Sequence, residues 1–94
     1  MKNSNFEKAN LTKCDFKNVN ARDCNFLKSI LTNSDMKEGD FENSNFNEAE
    51  LQDVNLDGAN LTNVTINGAN IANASFNNAR GLQMPVNGAD PANR

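Results

Sequence analysis

Large apolar residues recur at every fifth position along most of this chain. Of the fifteen positions reached from Phe6 to Phe76 in steps of five, fourteen are large and apolar, and Ala21 is the exception. The fourteen residues, which we call the centres, are Phe6, Leu11, Phe16, Phe26, Leu31, Met36, Phe41, Phe46, Leu51, Leu56, Leu61, Ile66, Ile71 and Phe76. All six phenylalanines belong to this series, and we predict that the series forms the structural core.

Two further positions repeat with the same period. The residue two places before each centre is small at all sixteen positions from Ser4 to Ala79. The residue directly before each centre is usually Asn or Asp, as at Asn5 and Asp15, and the two residues after it are mostly polar. Asparagine therefore makes up 20 of the 94 residues, and we interpret it mainly as a turn former and a source of ladders between stacked side chains.

A period of five fits neither of the regular secondary structures. A helix would spread the centres around its axis, and a strand would send successive centres to opposite faces. The pattern favours a chain that turns a corner every five residues, so that four corners close a coil of 20 residues. Stacked coils can pair their backbones in parallel ladders spaced about 4.8 Å apart.

This pattern resembles that of the pentapeptide-repeat family, whose consensus is roughly A-(D/N)-L-x-x. Residues 9–13, 59–63 and 69–73 read Ala-Asn-Leu-Thr-Lys, Ala-Asn-Leu-Thr-Asn and Ala-Asn-Ile-Ala-Asn. The resemblance implies an all-β fold, a right-handed quadrilateral parallel β-helix of about four coils, with the centres and their small neighbours inside.

The repeat predicts two parts of unequal length. Residues 1–79 form the β-helix, and residues 80–94, with two glycines and two prolines, form a capping or irregular tail. Leu82, Met84 and Val86 are candidates to fold over the last coil. At the other end we expect Ala21 to leave a local void or a narrowed corner, which makes the first coil less stable than the middle ones.

Some repeats depart from the consensus at outward positions. Ile30 and Glu50 occupy the place of the usual Asn or Asp, and Leu27 lies where polar residues are the rule. Repeat degeneracy explains each of them. Leu27 and Ile30 are nevertheless close in sequence, and we predict that they form a small exposed apolar spot on adjacent walls, which is a candidate contact site.

Charge is unevenly distributed along the chain. The formal net charge is −3, but residues 1–34 carry six basic and three acidic side chains, whereas residues 35–57 carry eight acidic side chains against Lys37 alone. We predict that these acidic residues form a belt around the middle of the rod, either as solvated surface or as a docking surface for a basic partner. The belt residues are Asp35, Glu38, Asp40, Glu42, Glu48, Glu50, Asp53 and Asp57.

The residue types argue against catalysis and against metal or cofactor binding. The chain has no His, and its two cysteines, Cys14 and Cys24, fall at small inward positions on opposite walls, where we read them as buried structural residues. A filled interior also leaves no pocket for acid–base chemistry. We therefore expect no enzyme activity, no cofactor and no metal.

With enzyme activity set aside, the sequence leaves two candidate functions. The first is a protein-binding or scaffold role that uses an outer wall or the acidic belt. The second comes from the resemblance alone: the best-understood members of the family mimic DNA and bind DNA gyrase, giving quinolone resistance.

The chain also yields expectations about partners, location and assembly. The acidic balance and the lack of a long apolar run predict a protein partner rather than direct contact with nucleic acid or membrane. Without a signal peptide, we expect a cytoplasmic, bacterial protein, in line with the family. The repeat starts almost at once, which allows a monomer with a frayed first coil, an end-to-end homodimer, or a piece of a longer chain.

Overall fold

A tight turn ends every five-residue unit of the structure, which is a computed structural model that describes residues 1–82. In the turns that follow the centres, the N–H of the small residue donates to the carbonyl of the preceding centre, as from Ala9 to Phe6 at 3.0 Å. After Ala21, the Cys24 N–H donates to the Ser44 hydroxyl instead. The third turn residue has a positive φ, from 58° at Asp23 to 73° at Gly68. A positive φ at that position alone is the pattern of a type II turn, which favours Gly and Asn.

Parallel bridges join residues that are 20 positions apart. One column of bridges links Asn5 to Asn25, Asn45 and Thr65, and three further columns begin at residues 10, 15 and 20. Each bridge residue lies directly before a position of the five-residue series, and only one such residue separates successive turns. The ladder therefore consists of single-residue bridges, and residues 1–82 contain neither a helix nor a continuous strand.

The four bridge columns define four sides, each built from one repeat unit per coil. Side A comprises residues 4–8, 24–28, 44–48 and 64–68; side B comprises 9–13, 29–33, 49–53 and 69–73; side C comprises 14–18, 34–38, 54–58 and 74–78; and side D comprises 19–23, 39–43, 59–63 and 79–82. We number the coils by residues: coil 1 is 4–23, coil 2 is 24–43, coil 3 is 44–63, and coil 4 starts at residue 64.

The centres lie inside the coils and stack on one another. Ten of the fourteen, from Phe26 to Ile71, are buried, and Phe6, Leu11, Phe16 and Phe76 pack half-buried against them near the two ends. On side A, the Phe26 ring stacks on Phe6 and Phe46 with centroid distances of 5.1 and 4.6 Å. Phe41 meets Phe26 and Phe46 edge-on, so four aromatic rings form one cluster.

Gly39 makes room for this aromatic cluster. A Cβ atom at Gly39 would lie 2.5 Å from Cε2 of Phe41, inside van der Waals contact. The glycine has no positive φ, so its role here is space rather than backbone conformation. The small inward position is therefore occupied by glycine, the smallest residue, where the Phe41 ring lies against it.

Three inward serines differ in how their hydroxyls are satisfied. Ser34 donates to the Leu11 carbonyl at 2.7 Å, and Ser44 donates to the Ala21 carbonyl at 2.7 Å while it accepts from the Cys24 N–H. These bonds tie one coil to the next. The Ser29 hydroxyl is also fully buried, but it has no hydrogen-bond partner among the described residues.

Met1, which the five-residue series did not include, lies close to Ala21. Ala21 is fully buried, and the chain start runs past it: the Met1 amino group donates to the Asn20 carbonyl at 3.1 Å, and the Cys24 thiol donates to the Met1 carbonyl. Met1 is itself five positions before Phe6. The expected local void and weaker first coil stay predictions.

The bridge ladder continues through Arg80, which pairs with Asn60. Leu82 packs half-buried against the core, and the capping role of the tail stays a prediction. The remainder of the predicted tail, including Met84 and Val86, lies outside the described residues.

Candidate interaction surface

Outward Asn and Asp residues hold the corners through a recurrent hydrogen bond. The side-chain oxygen of the residue before the centre accepts the N–H of the residue after it, as from Thr12 to Asn10 and from Lys17 to Asp15. We call these N–H groups the corner amides. This Asx-type bond explains why the repeat prefers a short amide or carboxylate side chain at the bridge position.

Where the repeat lacks Asn or Asp, the corner amides follow two different courses. In coil 4, Thr65 and Ser75 replace the usual residue, and the corner amides of residues 67 and 77 donate instead to Asn47 and Asp57 one coil below. Where Ile30 and Glu50 occupy the bridge position, the coil below supplies no substitute acceptor. The corner amides of Thr32 and Gln52 accordingly have no acceptor among residues 1–82.

Basic residues neutralise part of the acidic belt. Lys17 lies 3.1 Å from Asp15 and 3.7 Å from Asp35, on side C. On side D, Arg22 lies 2.7 Å from Asp40 and 3.4 Å from Glu42. On side A, Lys28 reaches Glu48 at 3.9 Å. Each of these basic side chains reaches the coil above its own, so coil 1 and the start of coil 2 neutralise four of the eight predicted belt residues.

The ion pairs shift the ionisation of their members. The Lys17 N–H and ammonium bind Asp15 and lower the pKa of that carboxyl, while the pKa of Lys17 rises. Partial burial raises the pKa of Asp40, but the hydrogen bonds from the Arg22 guanidinium and the Glu42 N–H outweigh it and leave the pKa lowered. Both carboxylates are therefore charged wherever the protein is near neutral pH.

The other belt residues have no ion-pair partner within residues 1–82. Glu38 and Asp53 are exposed at corners, Glu50 is half-exposed on side B, and Asp57 accepts hydrogen bonds from Ser75 and from the N–H of Asn77. We call Glu38, Glu50, Asp53 and Asp57 the acidic arc. It runs from side B around the next corner onto side C, where Lys37 is its basic neighbour in the chain.

The two apolar outward residues lie on either side of one corner. Leu27 closes side A of coil 2 and is half-buried, whereas Ile30 opens side B and is 37% exposed. Within residues 1–82, Ile30 and Met1 are the exposed large hydrophobic residues. The exposed apolar spot that Leu27 and Ile30 were expected to form at the corner between sides A and B stays a prediction.

Ile30 and Glu50 are direct neighbours in the side B ladder. The bridge column of this side joins Asn10, Ile30, Glu50 and Asn70. Glu50 therefore lies one coil above Ile30, and sequence reasoning treated the two departures separately. A 20-residue alignment of the outward positions contains the signal, because both substitutions fall in one column.

The cysteines show no sign of a shared site. Cys24 on side A is buried, Cys14 on side C is half-buried, and both are free thiols. Residues 1–82 contain no group of three or more potential metal ligands. They also contain no helix that is long and apolar enough to cross a membrane.

Comparison with solved structures gives relatives of the same architecture. A pentapeptide repeat protein from the thylakoid lumen of Arabidopsis thaliana is similar with a TM-score of 0.70 and 26% identity, over 83% of this chain and 58% of its own. HetL, a pentapeptide repeat protein involved in heterocyst differentiation regulation in the cyanobacterium Nostoc, gives a TM-score of 0.55 and 17% identity, over 85% of this chain and 40% of its own. A further pentapeptide repeat protein from Nostoc gives a TM-score of 0.51 and 23% identity, over 77% of this chain and 64% of its own.

These solved relatives are longer than the chain described here, which spans less than two thirds of each. A comparison with curated proteins gave no significant match. A family profile for the pentapeptide repeat region matches residues 1–80, which is most of the sequence. On this match, and on the five-residue corners that the structure shows, the chain belongs to the pentapeptide-repeat family.

Proposed function

We propose that this protein is a non-enzymatic binding module that meets a protein partner through its outer surface. Because the centres fill the interior, recognition falls to the outward side chains. The observation that carries the proposal is the acidic arc. Its four carboxylates lack a basic partner among the described residues, whereas four other belt residues are neutralised. Unneutralised charge on a rigid surface steers and orients a partner of opposite charge.

The proposal also covers the scaffold, the location, the assembly and the partner, which the family assignment does not specify. We infer a right-handed, four-sided β-helix of about four coils as the scaffold, acting in a bacterial cytoplasm as a monomer or an end-to-end homodimer. The thylakoid-lumen relative shows that such a scaffold also serves in another compartment. The partner we expect is a protein with a basic contact surface.

Charge reversal at two exposed corners tests the acidic arc. Lys occupies the same positive-φ corner position at residues 8, 13 and 28, so Glu38→Lys with Asp53→Lys preserves the turn geometry. We expect immobilised protein to retain a defined partner from source lysate, and the double variant to lose it. Quantitative mass spectrometry of the retained proteins measures the loss.

A matched control separates the arc from net charge. Glu7 and Asp23 are exposed carboxylates of coil 1 without an ion pair within residues 1–82, so Glu7→Lys with Asp23→Lys changes the charge by the same amount elsewhere. The control variant should retain the partner. Equal recovery of every retained protein by the wild type and both variants would dispose of the acidic arc as a binding surface.

A second candidate is DNA mimicry directed at gyrase. The eight carboxylates between residues 35 and 57 favour it, but ion pairs with Lys17, Arg22 and Lys28 interrupt the negative surface. We rank it below the binding module. A supercoiling assay decides: inhibition or protection of gyrase at micromolar protein supports mimicry, and no effect eliminates it.

A further inference from the structure

Side B combines an exposed apolar residue with carboxylates that have no basic partner. Ile30 is 37% exposed in coil 2, with Leu27 half-buried around the adjacent corner. Glu50 lies one coil above Ile30 in the same ladder, and Asp53 lies at the far corner of that coil. Within residues 1–82, side B contains no ion pair, in contrast to sides C and D.

Neighbouring side chains hold the Glu50 carboxylate in place. Gln52 donates from its Nε2 to Oε1 of Glu50 at 2.7 Å, and the Thr32 hydroxyl donates to Oε1 of Gln52 at 3.2 Å. These bonds fix the carboxylate by neutral groups and leave its charge uncompensated. A preorganised charge loses less entropy when a cationic side chain binds it.

The backbone of side B offers two further donors. The corner amides of Thr32 and Gln52 lack an acceptor among residues 1–82, while the described corners from residue 7 to residue 77 otherwise have one. The two amides lie in successive coils, about 4.8 Å apart along the stack. They are suited to bind carbonyl oxygens of an incoming chain.

We propose that side B binds a peptide segment of a protein partner, in which an apolar side chain is followed by Lys or Arg side chains. This inference rests on the proposed binding function and names its partner chemistry. The apolar side chain packs on Ile30 and Leu27, the cationic side chains meet Glu50 and Asp53, and peptide carbonyls accept the two corner amides. Lys13 at the coil 1 edge of the side repels the basic end, which orients it toward coil 3.

A peptide titration followed by amide NMR shifts tests this assignment. The probe is acetyl-Ser-Leu-Ser-Lys-Ser-Lys-amide, with one control peptide in which serine replaces the leucine and another in which glutamate replaces both lysines. The probe should move the amide signals of Ile30, Thr32 and Gln52 in a saturable manner, and should leave those of side D unmoved. Each control peptide should bind about tenfold more weakly or not at all.

Restoring the repeat consensus removes the site without threatening the fold. Ile30→Asn with Glu50→Asn gives both corner amides an acceptor again and should weaken probe binding about tenfold or more. Glu7→Asn, which makes the same change in charge as Glu50→Asn on side A, should bind the probe as the wild type does. Circular dichroism of the variants verifies that each is folded.

Three outcomes overturn the assignment of side B. They are no movement of the side B amides at millimolar probe, equal binding of the probe by the consensus-restored variant, and shifts confined to sides C or D. The proposed function is judged separately by the Glu38 and Asp53 charge reversal. If that variant loses its partner while the probe leaves side B unmoved, the binding function stands, and recognition of an apolar-basic peptide by Ile30, Glu50 and the two corner amides is excluded.

Discussion

Asparagine is abundant at the residue scale because two different backbone positions need it. Before each centre, its side-chain oxygen accepts a corner amide, as at Asn10 and Asn45. At the corner itself it adopts a positive φ, as at Asn33 and Asn63, which Asn tolerates better than most residues. Asparagine side chains also bond from coil to coil, as from Asn63 to Asn43 and from Asn60 to Asp40.

Replacing two of the inward serines by alanine should change the free energy of unfolding in opposite directions. Ser29→Ala removes a buried hydroxyl without a partner, so the free energy of unfolding should rise by about 1 kcal/mol. Ser44→Ala removes a hydroxyl that joins the Ala21 carbonyl and the Cys24 N–H, so it should fall by about 1 kcal/mol. Urea unfolding of both variants measures the difference, and a Ser29→Ala variant as destabilised as Ser44→Ala would contradict it.

Gly39 yields a prediction about steric fit. Gly39→Ala places a methyl group against the Phe41 ring, and overpacking of this kind should lower the free energy of unfolding by about 1–3 kcal/mol. Phe41→Leu in the same chain should relieve the clash. The double variant should therefore lose less free energy of unfolding than the sum of the losses in the two single variants. A double-mutant cycle by urea unfolding tests this, and strict additivity would show that the two side chains do not compete for space.

At the scale of sides and corners, the period alone predicted most of the architecture. Five-residue spacing of the centres from Phe26 to Ile71 predicts a corner per repeat and an inward stack, and the structure has both. The ion pairs were not predictable in the same way, because Arg22 reaches Asp40 and Glu42 by its choice of rotamer. The unpaired corner amides of side B follow from Ile30 and Glu50 in the sequence, but the period alone does not show whether the coil below supplies a substitute acceptor, as it does at residues 67 and 77.

The ion pairs between coils predict how stability depends on pH. Because the pKa of Asp40 is lowered in the fold, the unfolded chain takes up that proton first as pH falls through about 4. The pair therefore stabilises the protein above that pH, and its contribution is lost as pH falls through the lowered pKa.

Asp40→Asn tests this dependence because asparagine can still accept the Glu42 corner amide. The variant should be less stable than the wild type near about pH 7, with the gap narrowing by about pH 3. Urea unfolding at both pH values measures it, with the exposed Asp23→Asn variant as the control. A gap that stays constant across this range would refute the role of the Arg22 pair.

At the scale of the whole molecule, the net charge of −3 conceals two opposite arrangements. On sides C and D, basic residues of coil 1 compensate the belt through Asp35, Asp40 and Glu42. On side B, Glu50 and Asp53 remain uncompensated beside Ile30. Within residues 1–82, the belt residues of sides A and D are therefore all paired, those of side C are partly paired, and the two on side B are both unpaired.

The central claim is that side B has exchanged local stability for recognition, and the free energy of unfolding of the Ile30→Asn, Glu50→Asn variant tests it most directly. Two regained hydrogen bonds to corner amides should make this variant more stable than the wild type by about 1–2 kcal/mol in urea unfolding. A variant that is less stable than the wild type would show that Ile30 and Glu50 serve the fold, and would contradict the claim.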